Sequence, residues 1–289
     1  MRGRGAFAVG LGLFVAFVVG MGVWGWVAVA GAPARVVTTA DGRTVDIGSS
    51  WPGSLDSCVT DVAIPVLPNC YREKVDKAGI VKQPWSTAST LAFCAVGLVL
   101  LWTAGGRREQ VWIGYVALAM GPGSALFHGT LTGWGGWFDQ LSMYALLAAI
   151  VAFEAVRLRR TPRHLARWFW SAFAIGIVLK GTTGEAGTYA FFAVGVGVGV
   201  LILVSYLRLL RRVGLERSGA RLLLAYALLF ASIVPWLISN PASGDPTDVP
   251  WHSMWHVLSA LFVGAYWWYL ASERPTAIDA PLVREPVPA

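Results

Sequence analysis

The chain has 289 residues, 56% of them hydrophobic and only 13% charged, with 15 tryptophans. That composition excludes an ordinary soluble or disordered protein, because runs of about 18 or more apolar residues read as membrane helices and several are present. The formal net charge of +7 would suit nucleic acid, but the basic residues lie in loops between apolar runs and not on one patch, so the bilayer is the expected partner and nucleic acid is not.

Residues 1–30 open with the basic MRGRG and continue as an apolar run from Ala6 to Ala30. This is a signal peptide or a signal anchor; Ala28-Val29-Ala30 resembles a cleavage site, but the run exceeds the usual signal core of about 7–15 residues, which favours an uncleaved helix. Residues 31–84 are polar, with scattered Pro and Gly, and read as an extracytoplasmic loop. Cys58 and Cys70 lie in it, either as a disulfide or as two free thiols.

Seven apolar segments follow, at 85–104, 111–129, 136–156, 166–181, 187–207, 221–239 and 251–271. The expected fold is an all-α integral membrane protein, with a seven-helix membrane domain at 85–271 and one extra N-terminal helix. Residues 272–289 are Pro-rich and read as a loose cytoplasmic tail. Cys94, inside a span, reads as packing. Gly195, Gly197 and Gly199 lack the context of a nucleotide loop and read as small residues that let helices approach.

The loops set orientation. Twelve arginines (107, 108; 157, 159, 160, 163, 167; 208, 211, 212, 217, 221) fall in alternate loops, while 130–135, 182–186 and 240–250 have no Lys or Arg and only Lys180 precedes one of them. By the positive-inside rule the arginine loops are cytoplasmic. His164, in one of them, reads as solvated, and Glu154 as an interface pair with Arg157. Glu185, a lone outer-loop carboxylate, reads as structural.

That orientation places five polar residues at one membrane depth. Ser124 and His128 share a helix face at i and i+4 near the outer end of the second core segment. Asp139 lies just inside the third, after a Gly-rich turn at 129–136, and His252 and His256 repeat the i, i+4 spacing at the start of the seventh. Ionisable residues inside a span are costly and mark function by default. Two His at i and i+4 can share a metal as in H-E-x-x-H, but here the intervening residues are Ser253, Met254 and Trp255, so a carboxylate has to come from elsewhere. Asp139 is the carboxylate at the same depth in the core segments. Three His leave the fourth zinc position to water; Asp139 would take its proton and Ser124 would donate to an oxyanion. Taken singly, a membrane His often only bonds a neighbouring helix, Ser124 reads as helix packing, and Asp139 as a first-turn cap. Trp134, Trp137, Trp251 and Trp255 read as interfacial belt residues.

Together Ser-x-x-x-His, an Asp eleven residues after that His, and His-x-x-x-His opening the last helix resemble the alkaline ceramidase family. That family belongs to a membrane-hydrolase superfamily with the adiponectin and progestin receptors and the hemolysin III proteins. NCYREKVDKAGIVKQPWSTASTLAF, residues 69–93, is similar to that family's lead into its first helix, where an acidic stretch precedes a W-N-T-x-S-N-L-A-F-like start. The resemblance covers residues 69–271. It implies a seven-helix bundle, zinc held by His128, His252 and His256, Asp139 orienting or deprotonating water, Ser124 stabilising the oxyanion, and hydrolysis of the amide of a ceramide-like lipid to a fatty acid and a sphingoid-type amine. Eukaryotic members also bind calcium through acidic residues before the first helix. Here Asn69 and Glu73 remain, but Gln83 stands where the last acidic ligand belongs and Arg72 and Lys74 intrude, so zinc is expected and calcium is not. The Arg- and Ala-rich composition suggests a bacterial membrane, with another N-acylated lipid as a possible substrate. The alternative is a receptor-like protein with a structural zinc site and no turnover. A transporter would need polar residues deep in the spans, where the sequence offers almost none.

Overall fold

The computed structural model describes residues 2–29, 35–38, 44–48, 73, 76, 79–104, 107–159, 162–183, 187–213, 218–239 and 249–277. Its helices are α1 (Arg2–Val29), α2 (Pro84–Ser89), α3 (Leu91–Thr103), α4 (Arg108–Thr130), α5 (Gly133–Arg159), α6 (Leu165–Thr183), α7 (Gly187–Val213), α8 (Gly219–Ser239) and α9 (Trp251–Ala277). Each of the seven expected core segments coincides with one of these, α2 and α3 together forming the first. Among the described residues five stretches are long and apolar enough to cross a membrane: Pro84–Thr103, Glu109–Thr130, Gly133–Arg159, Ala193–Arg211 and Gly219–Ser239. The protein is therefore an integral membrane protein with an all-helical core. Helix α1 contributes a shorter apolar stretch, Gly5–Met21.

The 31–84 region holds one departure from expectation, a two-stranded antiparallel hairpin of β1 (Arg35–Thr38) and β2 (Thr44–Gly48) with a register shift between Arg35 and Val36. The signal for it is Asp41-Gly42 between two β-branched runs, a hairpin signature. The suggested Cys58–Cys70 pairing, Asn69, Arg72, Lys74, Glu185 and most of the tail lie outside the described residues.

Helices α3, α4, α5 and α6 pack in chain order, and α9 packs on α8 and on α2–α3, joining the last helix to the first. The core between them includes Phe93, Ile113, Met120, Ile150, Phe153, Ile202, Phe262 and Val263. On the perimeter Val99, Val196 and Leu223 are exposed, the inverse of a soluble fold and the expected surface toward lipid. Helix α1 lies against α3 and α4 through Phe7 and Phe14, and the Tyr115 hydroxyl donates to the Ala6 carbonyl at 3.1 Å.

Local sequence explains how α4 and α5 are held. Pro122 inside α4 has no N–H to give the carbonyl four residues back. The Cys94 thiol points at that Leu118 carbonyl, 3.9 Å away, so this buried cysteine has a polar duty beyond packing. The turn to α5 is shorter than expected. Leu131 takes the left-handed conformation (φ 49°) and returns its N–H to the Phe127 carbonyl, at a cost of roughly 1–2 kcal/mol that full burial of its side chain offsets. Thr132 Oγ1 accepts from the Gly135 N–H at 3.0 Å, and α5 starts at Gly133. Asp139 thus lies in the second turn of α5. The glycines serve contact instead of a loop: a Cβ on Gly135 would stand 2.8 Å from the Leu126 carbonyl oxygen.

Gly195 and Gly197 do not mediate close helix contact. Nothing lies within 4 Å of a Cβ built on either, and Gly199 meets only the Tyr226 ring, at 4.0 Å. Small residues permit close approach but do not compel it: among the described residues Tyr226 of α8 reaches this stretch, its hydroxyl donating to the Gly199 carbonyl at 2.5 Å.

Candidate metal centre

The last turns of α4, the second turn of α5 and the first turns of α9 converge at one end of the bundle. They bury Ser124, His128, Asp139, His252 and His256. The imidazole centroids of His252 and His256 are 4.5 Å apart, those of His128 and His252 4.8 Å, and those of His128 and His256 5.0 Å. One nitrogen from each ring lies within 4.8 Å of the others.

The outward side of each ring fixes which nitrogen that is. His128 Nδ1 is 2.7 Å from Gln83 Oε1, an acceptor, so Nδ1 carries the proton. His256 Nδ1 is 3.1 Å from the Ser86 carbonyl and 2.7 Å from Ser89 Oγ, whose own proton goes to that same carbonyl at 2.8 Å. His252 Nδ1 is 3.4 Å from Ser239 Oγ, whose proton goes to the Trp236 carbonyl at 2.7 Å. All three rings therefore donate outward from Nδ1, which makes Nε2 the lone-pair nitrogen facing the common space. Outer partners on Nδ1 that fix the tautomer are how proteins prepare histidines for a metal. The donor set fits a zinc ion.

The segment before α2 is pinned to this end of the bundle. Gln83 N–H donates to the His128 carbonyl at 2.9 Å and Lys82 N–H to the Gly129 carbonyl at 3.0 Å. The Glu73 carboxylate accepts the Trp85 and Ser86 N–H groups at 2.8 and 2.9 Å and the Ser86 hydroxyl, capping the start of α2. Lys82 is held below the ordinary lysine value by burial, with Asp76 opposing. Glu73, a remnant of the calcium-binding pattern, and Gln83, which replaces its last acidic ligand, thus hold α2 and His128 respectively.

Ser124 Oγ is 3.3 Å from His256 Nε2 and is also hydrogen-bonded to Asp139, so it links the histidine cluster to the carboxylate. Asp139 Oδ1 is a buried oxygen without a hydrogen-bond partner among the described residues. Lys180 is buried near enough to act on Asp139 electrostatically, and its ammonium lies 5.6 Å from the Trp137 ring centroid.

Several sequence expectations change. Trp255 is buried against His252 and His256, with ring centroids 5.0 and 5.1 Å away, and walls the cluster instead of sitting in an interfacial belt. Glu154 and Arg157 are inside the protein: one guanidinium nitrogen donates to both carboxylate oxygens at 2.7 Å, Tyr266 donates to Glu154 at 2.6 Å, and Arg157 donates to Tyr269 at 2.8 Å. Polar groups are therefore buried between the helices at the C-terminal end of α5 as well, and the i, i+3 spacing fits a buried pair as well as an exposed one. His164 is half-buried. Gln83, Ser86, Ser89 and Ser239 were not readable as histidine partners; the cue was only that each adjoins or belongs to the segments carrying the motif.

An apolar cavity of about 290 Å³ opens between α1, α2–α3 and α4, lined by Phe14, Met21, Thr87, Leu91, Ala125 and Gly129 among others; Ala125 and Gly129 adjoin Ser124 and His128 in sequence, but none of the five site residues lines it.

Fold and site define the class: a helical membrane protein with a buried three-histidine cluster able to hold a metal ion. Compared with known proteins, the chain matches no family model and no curated protein.

Proposed function

We propose that the chain is a zinc-dependent intramembrane hydrolase that cleaves the amide bond of ceramide-like N-acyl lipids to a fatty acid and an amine. The observation that carries this is the set of three buried histidines that all donate from Nδ1 to protein acceptors, beside a carboxylate with an uncommitted oxygen. A cluster that served only packing would have no reason to turn its lone pairs together. We take the seven core helices and α1 all to lie in the membrane, with the site toward the extracytoplasmic side and the C-terminus in the cytoplasm, as the arginine-rich connections at the opposite end of the bundle indicate.

His128, His252 and His256 hold the zinc. Bound there, zinc supplies Lewis acidity and lowers the pKa of water to about 7. Asp139, whose Oδ1 has no partner among the described residues, takes the proton of the attacking water and delivers it to the leaving amine. Ser124 has one proton for two neighbours, His256 Nε2 and Asp139; once Nε2 is a ligand, that proton serves the carboxylate or the oxyanion at the acyl carbon. The apolar cavity beside Thr87 and Gly129 suits the hydrocarbon of such a substrate.

Metal analysis of the purified protein, with mass-spectrometric profiling of N-acyl lipids incubated with it, tests the reading. One zinc per chain with release of fatty acid from ceramide is expected. Zinc without release of acid from any N-acyl lipid would support the receptor-like alternative, and no bound metal would end both.

A further inference from the structure

The end of the bundle opposite the histidines carries a second built feature. Between the end of α5 and the start of α6 is a cavity of about 370 Å³ lined by Arg159, His164, Arg167, Trp168 and Ser171. Four of these five walls carry nitrogen cations or donors, and none of the described residues lining it carries a carboxylate. Among the described residues neither Arg159 nor Arg167 has an acidic partner; the nearby Glu154 is committed to Arg157. The walls are also ordered by their own contacts. Arg159 lies over the Trp168 ring, 4.8 Å from its centroid, and Arg163 Nε donates to His164 Nε2 at 3.3 Å.

We propose that this cavity binds the phosphate of an anionic phospholipid. Cationic groups held together without a counter-charge call for an anion, and arginine presents the planar donor fork that fits phosphate. The lipid source follows from what lies below. His164, Arg167 and Ser171 are followed at helical spacing by Ile175 and Val178, on the same stripe of α6 and each 62% exposed. A phospholipid uses both halves of that stripe, with its headgroup in the cavity and its chains along Ile175 and Val178. A free phosphate uses only the first. Basic pockets at the arginine-rich face of a membrane helix bundle bind anionic headgroups by this division of labour.

The test uses the intact protein in phosphatidylcholine nanodiscs doped with phosphatidylglycerol, followed by native mass spectrometry of retained lipid. Retention of phosphatidylglycerol over phosphatidylcholine is expected, falling roughly thirtyfold in Arg159→Gln/Arg167→Gln, at about a fivefold loss per arginine near the surface. Ser171→Glu, which sets a carboxylate at an exposed position of the wall, should lower it without touching either arginine. Arg159→Lys/Arg167→Lys should keep most of it, and Arg208→Gln/Arg211→Gln, at the end of α7, should leave it unchanged. The proposal is overturned if wild type shows no preference, if the α7 pair lowers it as much as the cavity pair, or if excess inorganic phosphate displaces the lipid completely.

Discussion

Helices α5 and α9 each carry buried polar groups near both ends, and the two resulting clusters close their hydrogen bonds in opposite ways. At one end Glu154 and Arg157 of α5 meet Tyr266 and Tyr269 of α9, and charge meets charge while the phenols bond the remaining positions. At the other end, roughly 22 Å along α5 at 1.5 Å per residue, the histidines of α9 and α4 send their protons outward and their lone pairs inward, and Asp139 keeps an oxygen uncommitted. The first cluster is self-sufficient and serves cohesion. The second is complete only with something added, which is the mark of a binding or catalytic centre.

The contrast yields graded predictions. The largest effect falls on the histidines: His252→Ala should abolish zinc binding and bring lipid hydrolysis to background, while thermal unfolding in detergent shows the bundle still folded; zinc retained at wild-type stoichiometry would refute the ligand set. Asp139→Asn should keep zinc and lose about 10²–10⁴ in turnover, and full turnover by this variant would remove Asp139 from the chemistry. Glu154→Gln should do the reverse. Breaking one partner of a buried pair costs about 3–5 kcal/mol, read as a lower unfolding midpoint, with zinc content and turnover per folded molecule unchanged; a variant that lost metal instead would dissolve the distinction between the two ends. The smallest effect is expected at Gln83→Ala, which leaves all three ligands but frees the His128 ring to change tautomer. Zinc affinity measured by competition with a chelator should fall about tenfold to a hundredfold.

Much of the helical plan was legible in the primary sequence, because apolar runs must satisfy their backbone groups internally and therefore form helices wherever they are long enough. The run at 136–156 and the one at 221–239 sit within α5 and α8. The turn between α4 and α5 was less legible, since glycine marks both loops and close contacts; only the neighbouring Leu126 carbonyl shows that Gly135 belongs to the second kind. Trp255 was misread for a similar reason, as tryptophan suits a membrane interface and a buried wall equally well.

The i, i+4 spacings and the common depth of His128, Asp139, His252 and His256 follow from local helical geometry and from where the arginines fall, so the sequence alone was enough to nominate them. What surrounds them is a different matter. His128 takes its acceptor 45 positions away in Gln83, and His256 takes its own 170 and 167 positions away in Ser86 and Ser89. No periodicity encodes such pairs, because they depend on α9 packing against α2 and on the 79–83 segment crossing the end of α4. Only the tertiary structure decided which nitrogen each ring turns inward, and that choice separates a cluster that can hold a metal from three histidines that merely lie close.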